Sequence, residues 1–305
     1  MKAAIDIGSN SLLLTIVDPG GVDSAGAIVH DEARVVGLGK GLGDGGQFRA
    51  DRIAAADAVL DDYAAVARRH GIDPATIAAV ATSGARRASN AEAWFAAVER
   101  RTGIRVRTIS GDEEARLTWL GATRDLTVPA GLRAVIDLGG GSTEVVLGDD
   151  DRIASRRSLE IGTVRLTELH LAPGGAIPDR FDPAGLAALE AHVDREAATL
   201  VIPGRPGTVI GVAGSVTTLA AIHLGLTRYD PARVHGATLT RGDLGRFVAA
   251  FATADAAGRR RLAAVSPDRA DLLLAGAVVL DRLLAALDAD ALVASDRGLR
   301  FALLG

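Results

Sequence analysis

The chain has 305 residues, 48% of them hydrophobic, with a formal net charge of -4 and no cysteine. That length is enough for two domains with real cores, and the absence of cysteine excludes disulfides, thiol catalysis and cysteine-ligated metals. The acidic balance gives no general electrostatic reason to bind nucleic acid or an anionic membrane, so a polyanionic substrate must meet a local basic patch.

Residues 3–17 read as strand, Gly8-Ser9-Asn10-Ser11 turn and strand, with a second turn at Asp18-Pro19-Gly20-Gly21. Residues 35–42 predict a further strand running into a flexible loop at 41–46. Apolar spacing over 51–70 predicts a helix that stops at Gly71. A strand at 77–82 delivers Ser83-Gly84-Ala85-Arg86-Arg87 to its C-terminal end. A helix at 91–101 and a strand at 105–109 follow, then a helix start at Ser110 with acids in its first turn. A Pro/Gly-bearing link over 125–131 marks the boundary between a first domain, 1–125, and a second, 126–305, whose last helix is able to pack back on the first.

The second domain opens on residues 135–148, Val-Ile-Asp-Leu-Gly-Gly-Gly-Ser-Thr-Glu-Val-Val-Leu-Gly. Two apolar runs flank three glycines, the pattern of a hairpin of buried strands. Such glycines bring backbone N–H groups close to an anion, and Ser142 and Thr143 add hydroxyls. Asp137 and Glu144 bracket the turn, which suits a phosphate together with a divalent metal held by carboxylate and water; an ordinary Gly-rich hairpin carrying two acids is the alternative. Ile5-Asp6-Ile7-Gly8 answers Ile136-Asp137-Leu138-Gly139, so the chain reads as two copies of one ancestral domain. A strand at 153–159, a helix after Gly162, a Pro/Gly loop at 172–183 and a helix to about 200 come next. A strand at 209–212 feeds a third Gly-Ser-Thr turn at Gly214 and Ser215, which either binds phosphate or caps a helix. A long apolar helix at 271–287 and a strand at 291–294 complete the order. His70, His170, His223 and His235 lack metal-type spacing and read as structural. No signal-peptide pattern and no membrane-spanning apolar run are present, so a cytoplasmic location is expected.

Five stretches in one order carry a resemblance: Asp6-Ile-Gly-Ser-Asn-Ser, Ala81-Thr-Ser-Gly-Ala-Arg86, Ser110-Gly-Asp-Glu-Glu-Ala-Arg116, Asp137-Leu-Gly-Gly-Gly-Ser-Thr-Glu144 and Ser295-Asp-Arg-Gly-Leu-Arg300. Together they resemble the exopolyphosphatase / guanosine pentaphosphate phosphohydrolase (Ppx/GppA) family, in its short two-domain form. The resemblance implies an α/β fold of two ribonuclease-H-like domains, of the actin and sugar-kinase superfamily, with an interdomain active-site cleft. It implies a phosphoanhydride hydrolase, releasing terminal orthophosphate from inorganic polyphosphate, with the 5′-γ-phosphate of pppGpp as a further or main substrate. A phosphotransferase of the same fold and a non-catalytic alarmone-binding regulator are the rival expectations. Phe301, where an acid is expected, and Arg87, where many relatives carry an acid, depart from the family pattern.

Under the resemblance, Glu114 activates water, with Glu113 the neighbour most easily confused with it. Helix N-terminal charge complementarity would account for both acids, and for Asp112, equally well. Glu144 is a second essential carboxylate and Arg86 a phosphoryl ligand. The expected phosphate donors are Ser9, Asn10, Ser11, Gly140, Gly141, Ser142, Thr143, Gly214 and Ser215. Asp6, Asp137 and Glu144 are the expected metal ligands, for Mg2+ or Mn2+. Arg165, Arg297 and Arg300 either extend a basic path or are ordinary surface charge. A homodimer is expected, without nucleic-acid or membrane partners.

Overall fold

The structure is a computed structural model that describes residues 1–20, 27–42 and 46–305. The chain divides into two compact units, Met1–Gly121 with Leu299–Gly305, and Ala122–Gly298.

The first unit contains β1 (Lys2–Ile7), β2 (Ser11–Asp18), β3 (Ala27–Val35), α1 (Ala50–Arg69), β4 (Ala78–Ala81), α2 (Ser83–Arg87), α3 (Ala91–Thr102), β5 (Val106–Thr108) and α4 (Gly111–Ala122). Its sheet runs β3-β2-β1-β4-β5, with antiparallel pairing from β3 to β1 and parallel pairing from β1 to β5. Buried β-branched and leucine side chains of β1 and β2 pack against α1 and α3, where Leu60, Tyr63, Trp94 and Val98 are buried. Glycine ends α3: Gly103 takes φ +86, the left-handed conformation that closes a helix at low steric cost.

The second unit contains β6 (Arg133–Leu138), β7 (Thr143–Gly148), β8 (Ile153–Leu159), α5 (Thr163–Leu166), a π-helical turn at Thr167–Leu171, α6 (Pro183–Ala197), β9 (Thr208–Val212) and α7 (Gly214–His223). It continues through α8 (Pro231–Val234), β10 (Thr238–Thr240), α9 (Arg241–Thr253), α10 (Ala256–Leu262), a 3-10 turn at Pro267–Leu272, α11 (Leu273–Ala286) and β11 (Ala291–Ala294). Its sheet runs β10-β11-β9-β6-β7-β8. Without β10, the order and strand senses repeat those of the first sheet, antiparallel from β8 to β6 and parallel from β6 to β11. The two-copy pattern read from Ile5-Asp6 and Ile136-Asp137 is thus a repeat of topology. α11 is buried throughout residues 273–280, where every residue is apolar, and turns Asp281 and Arg282 to ion pairs beyond them.

The terminal helix α12 (Leu299–Leu303) belongs to the first unit. Leu299 packs with Val80, Ile109 and Leu117, and Leu304 with Ala4 and Val17. Arg300 Nη2 donates to Asp31 Oδ2 at 3.0 Å, and Asp31 Oδ1 accepts from Thr15 at 2.6 Å. Phe301 is buried in the same packing, which accounts for an apolar residue where an acid is expected.

Several local expectations need correction. The strand expected at 35–42 lies upstream, as β3, and ends at Val35. Residues 36–42 instead bond to the β1–β2 turn: Val36 and Gly37 N–H donate to Asn10 O, and Gly39 N–H to Ser9 O. β3 escapes the pattern because it is a polar, largely exposed edge strand without clean alternation. Residues 43–45 of the predicted loop, and Gly21 of the predicted turn, lie outside the described residues. Ser83–Arg87 follows closely on the end of β4, where it was expected, as the short helix α2; the long apolar helix begins at Leu273, not 271. The region between α7 and α11 carries α8, β10, α9 and α10, none of them expected. α9 starts on a capping box between Thr240 and Asp243, a signal present in the sequence.

Buried Arg259 ties α10 to its surroundings. Its guanidinium donates to Asp271 Oδ1 at 2.9 Å and to the carbonyls of Pro178 and Asp179 at 2.8 and 2.9 Å, and lies 4.2 Å from the centre of the Phe181 ring.

Candidate active site

In the first unit, β5 ends beside the start of α4, where three acids follow one another. Ser110 opens the helix: its hydroxyl accepts from Glu113 N–H at 3.1 Å and its carbonyl accepts from Glu114 N–H at 2.9 Å. Successive helical residues point about 100° apart, so the two glutamates meet different surroundings. Glu113 turns outward and pairs in bidentate fashion with Arg107, at 2.7 and 2.8 Å, which holds its carboxyl below the usual range. Glu114 turns inward and is only 6% exposed. Its Oε2 accepts from Arg86 Nη1 at 2.6 Å, and the same nitrogen donates to Ile109 O at 3.0 Å. A buried carboxylate needs such a partner, since leaving its charge uncompensated would cost several kcal/mol, about 3–5 when one member of a pair is removed. Helix-end charge complementarity therefore accounts for Glu113 but leaves the burial of Glu114 unexplained.

The β1–β2 turn holds Ser9, Asn10 and Ser11, all buried. Gly84, in the first turn of α2, comes so close that a methyl there would lie 2.9 Å from Ser9 Oγ. Gly39 approaches from the other side, where a methyl would sit 3.0 Å from Ser9 Cβ. The Asn10 amide is buried with Oδ1 lacking a hydrogen-bond partner. Rotating that amide by 180° would present its NH2 group, a donor suited to a phosphate oxygen.

In the second unit, Asp137 and Glu144 stand directly opposite each other on β6 and β7, so their side chains leave the same face of the sheet. Glu144 is 2% exposed. Its Oε1 accepts from Ser142 Oγ at 2.9 Å and from Ser158 Oγ at 2.6 Å. Thr143, expected as a phosphate donor, is fully buried and its hydroxyl donates to Ile161 O at 3.0 Å. The Ser142 hydroxyl is likewise engaged by Glu144, so these two hydroxyls serve the fold of the turn. The N–H groups of Gly140, Gly141 and Ser142 have no hydrogen-bond acceptor among the described residues. Consecutive amides of this kind are the donors an anion needs.

The glycine turn is braced from behind. Gly140 O accepts from Val164 and Arg165 N–H at 2.9 and 3.1 Å, and Gly139 O from Thr163 N–H at 3.0 Å. A methyl on Gly162 would lie 2.3–2.4 Å from backbone atoms of Gly140 and Gly141, a contact that only displacement of the turn could relieve. Gly162→Ala should therefore lower kcat/KM by about a hundredfold through a shift of the turn by roughly 1 Å. Gly245→Ala, in α9 with open space around it, should not; steady-state phosphate release from both variants is the check.

The third turn begins at Ala213, whose φ of 76 and ψ of 172 lie in a region populated almost only by glycine. Strain of that kind persists only where surrounding structure over-determines it. Ser215 lies inside α7 and no side chain caps that helix, which removes the capping alternative. A methyl on Gly214 would fall 2.2 Å from the Arg269 guanidinium, so the missing side chain admits a cation beside the turn. Burial pushes the Arg269 guanidinium below its ordinary value.

Arg165, Arg297 and Arg300 pair with Glu160, Asp125 and Asp31 at 2.7, 3.3 and 3.0 Å, and side-chain exposures of 22%, 19% and 10% set them apart from ordinary surface charge. His170 and His192 contact each other at 2.9 Å, and burial pushes both below the usual histidine range. His223 sits 3.3 Å from Asp243.

No group of three or more His, Asp or Glu side chains among the described residues could hold a metal ion by itself. Mg2+ does not require such a cage, since it binds through one or two carboxylates, waters and substrate phosphates. Asp137 and Glu144, on one face beside uncommitted amides, fit that donor set.

The sequence reading missed Ser158. Its signal is the strand pairing, which puts Ser158 opposite Glu144, and pairing is not visible in a short window.

Duplicated mixed sheets, each carrying an acid at the end of its first strand, define an α/β protein of two like units. Residues 20–304 match the model of the Ppx/GppA phosphatase family. The chain is 35% identical over 289 residues to Exopolyphosphatase 2 of Mycobacterium tuberculosis, covering 92% of this chain and 89% of that protein. It is 33% identical to the Aquifex aeolicus Ppx/GppA phosphatase, whose crystal structure superposes with a TM-score of 0.76 over 99% of this chain and 97% of that one. An exopolyphosphatase from Cytophaga hutchinsonii shares the fold at 23% identity, with a TM-score of 0.85 over 99% and 96% of the two chains. The chain belongs to the Ppx/GppA phosphatase family and has the actin and sugar-kinase type of fold. It is a phosphoanhydride hydrolase by class. No helix among the described residues is long and apolar enough to cross a membrane.

Proposed function

We propose that this chain removes terminal orthophosphate from inorganic polyphosphate, and the 5′-γ-phosphate of pppGpp as a second substrate, by direct attack of water activated at Glu114. The observation that carries this reading is the inward-turned, buried Glu114 held by Arg86, beside an outward-turned Glu113 already engaged by Arg107. Hydrolysis of a phosphoanhydride needs an aligned water, an acceptor for its proton and neutralisation of the transferred phosphoryl. Glu114 accepts a hydrogen bond from the attacking water and takes its proton as the new P–O bond forms and the bond from the terminal phosphorus to the bridging oxygen breaks, the shortened polyphosphate leaving with the electron pair. Arg86, whose guanidinium reaches Glu114 with one nitrogen, offers further N–H groups to phosphoryl oxygens. Within the first unit, the turn at Ser9 and Asn10 offers further donors to phosphate oxygens. The second unit carries donors of its own, the amides of Gly140, Gly141 and Ser142 and the turn at Gly214 and Ser215 with Arg269 alongside.

In the second unit Asp137 and Glu144 would hold Mg2+, which would neutralise charge on phosphate oxygens; in the first unit Asp6 is the candidate metal-binding carboxylate. The names of the relatives support polyphosphate as the first substrate to try. The test is phosphate release from the purified protein with long-chain polyphosphate, short-chain polyphosphate and pppGpp. Release from polyphosphate that stops on adding EDTA and returns with excess magnesium is the expected result. Binding of all three without release would replace this reading with that of a regulator.

A further inference from the structure

Glu144 leaves the middle of a row that runs straight across three strands. Asp137 on β6, Glu144 on β7 and Ser158 on β8 are register partners, and directly opposed residues of antiparallel strands share a face. The bulge in the β7–β8 pairing lies at the far end, between Leu147 and Gly148, so the register at Ser158 is regular. Ser158 thus reaches Glu144 from the edge strand, while Ser142 reaches it from the glycine turn. Both hydroxyls donate to the same carboxylate oxygen, Oε1.

We propose that Ser158 is a positioning residue for catalysis: with Ser142 it fixes the Glu144 carboxylate so that Oε2 faces the site of phosphoryl transfer. Two hydrogen bonds on one oxygen, from opposite sides, define both the tilt and the rotation of a carboxylate. The last torsion of a glutamate has a broad and shallow profile, so each added donor narrows the orientations its carboxylate takes. Ser142 belongs to the turn whose amides are proposed to receive phosphate and Ser158 to the sheet, so the carboxylate is tied to both. Arg157 leaves the opposite face, and Arg156, opposite Val146, stands on the same face as Ser158 one row further along.

The inference rests on the proposed role of Glu144 in phosphate release, and the test separates the two. In Ser158→Ala, kcat for polyphosphate should fall about 10–100-fold, the usual cost of losing such a support, with KM within about twofold of wild type. Ser158→Thr, which restores the hydroxyl on a residue suited to strands, should recover most of kcat. In a Glu144→Asp background, whose shorter carboxylate leaves the reach of the Ser158 hydroxyl, Ser158→Ala should cost less than about twofold, because the interaction is already lost. Crystal structures of wild type and Ser158→Ala supply the readout that does not depend on activity. The Glu144 carboxylate should rotate or split into alternative positions in the variant. An unchanged, single Glu144 conformer overturns the positioning role, as does an equal loss of kcat in the wild-type and Glu144→Asp backgrounds. Wild-type protein that releases no phosphate would instead sink the proposed function, with the crystal structures still deciding the role of Ser158.

Discussion

Replacing Glu114 with glutamine should lower kcat by about 10²–10⁴-fold, the range that general base catalysis contributes, with the fold intact. The amide keeps the size and the hydrogen-bonding oxygen that Arg86 Nη1 meets at 2.6 Å, but it cannot accept the proton of the attacking water. Glu113→Gln is the informative control. It removes an exposed ion pair with Arg107, which costs about 0–1 kcal/mol of stability, and should leave kcat within a few-fold of wild type. Steady-state phosphate release and a thermal melt of each variant give the answer. If Glu113→Gln proved the damaging change and Glu114→Gln the mild one, the two roles would have to be exchanged.

The largest effect on stability is expected at Arg259, which is 0% exposed. Arg259→Ala removes the donors to Asp271, Pro178 O and Asp179 O together with the stacking on Phe181. It leaves the Asp271 carboxylate and two backbone carbonyls without their partner, at a cost of about 3–5 kcal/mol. At roughly 2–4 °C per kcal/mol for units of this size, calorimetry should record the transition of the second unit some 10 °C lower. Arg260→Ala, one position away and exposed, should move it by about 0.5 kcal/mol or less. Equal shifts for the two variants would mean that the Arg259 contacts do not contribute as argued. Arg259→Lys should fall between them, because an ammonium cannot span the three acceptors that a planar guanidinium reaches.

These pairs also mark where the amino-acid pattern stops being informative. The hairpin at 135–148 is legible because its cues are local: apolar β-branched runs, a glycine turn, and an acid at each side. The same holds for α1 ending at Gly71 and for α3 ending at Gly103, where left-handed glycines stop regular periodicity. The polar edge strand β3 was not legible, since no buried face imposes an alternation on it. α10 was not legible either, since Gly-Arg-Arg-Arg-Leu reads as solvent-facing charge until the fold encloses one of the three arginines.

The candidate site divides along the same line. Resemblance pointed to Glu114 over Glu113, whereas their chemistry and spacing are alike in the sequence; the burial of one and the outward pairing of the other come from packing against β5 and α2. Thr143 and Ser142 looked like ligand donors by residue type, and it took the positions of Ile161 and Glu144 to commit their hydroxyls elsewhere. By itself the sequence determined the apolar strands, the acid-bearing turns and the duplicated plan, because those follow from dihedral preferences and periodicities within a few residues. Only the tertiary structure decided which of several like side chains is buried, and which serine stands opposite Glu144. Burial and strand register arise from contacts between residues far apart in the chain, and no short window contains both partners.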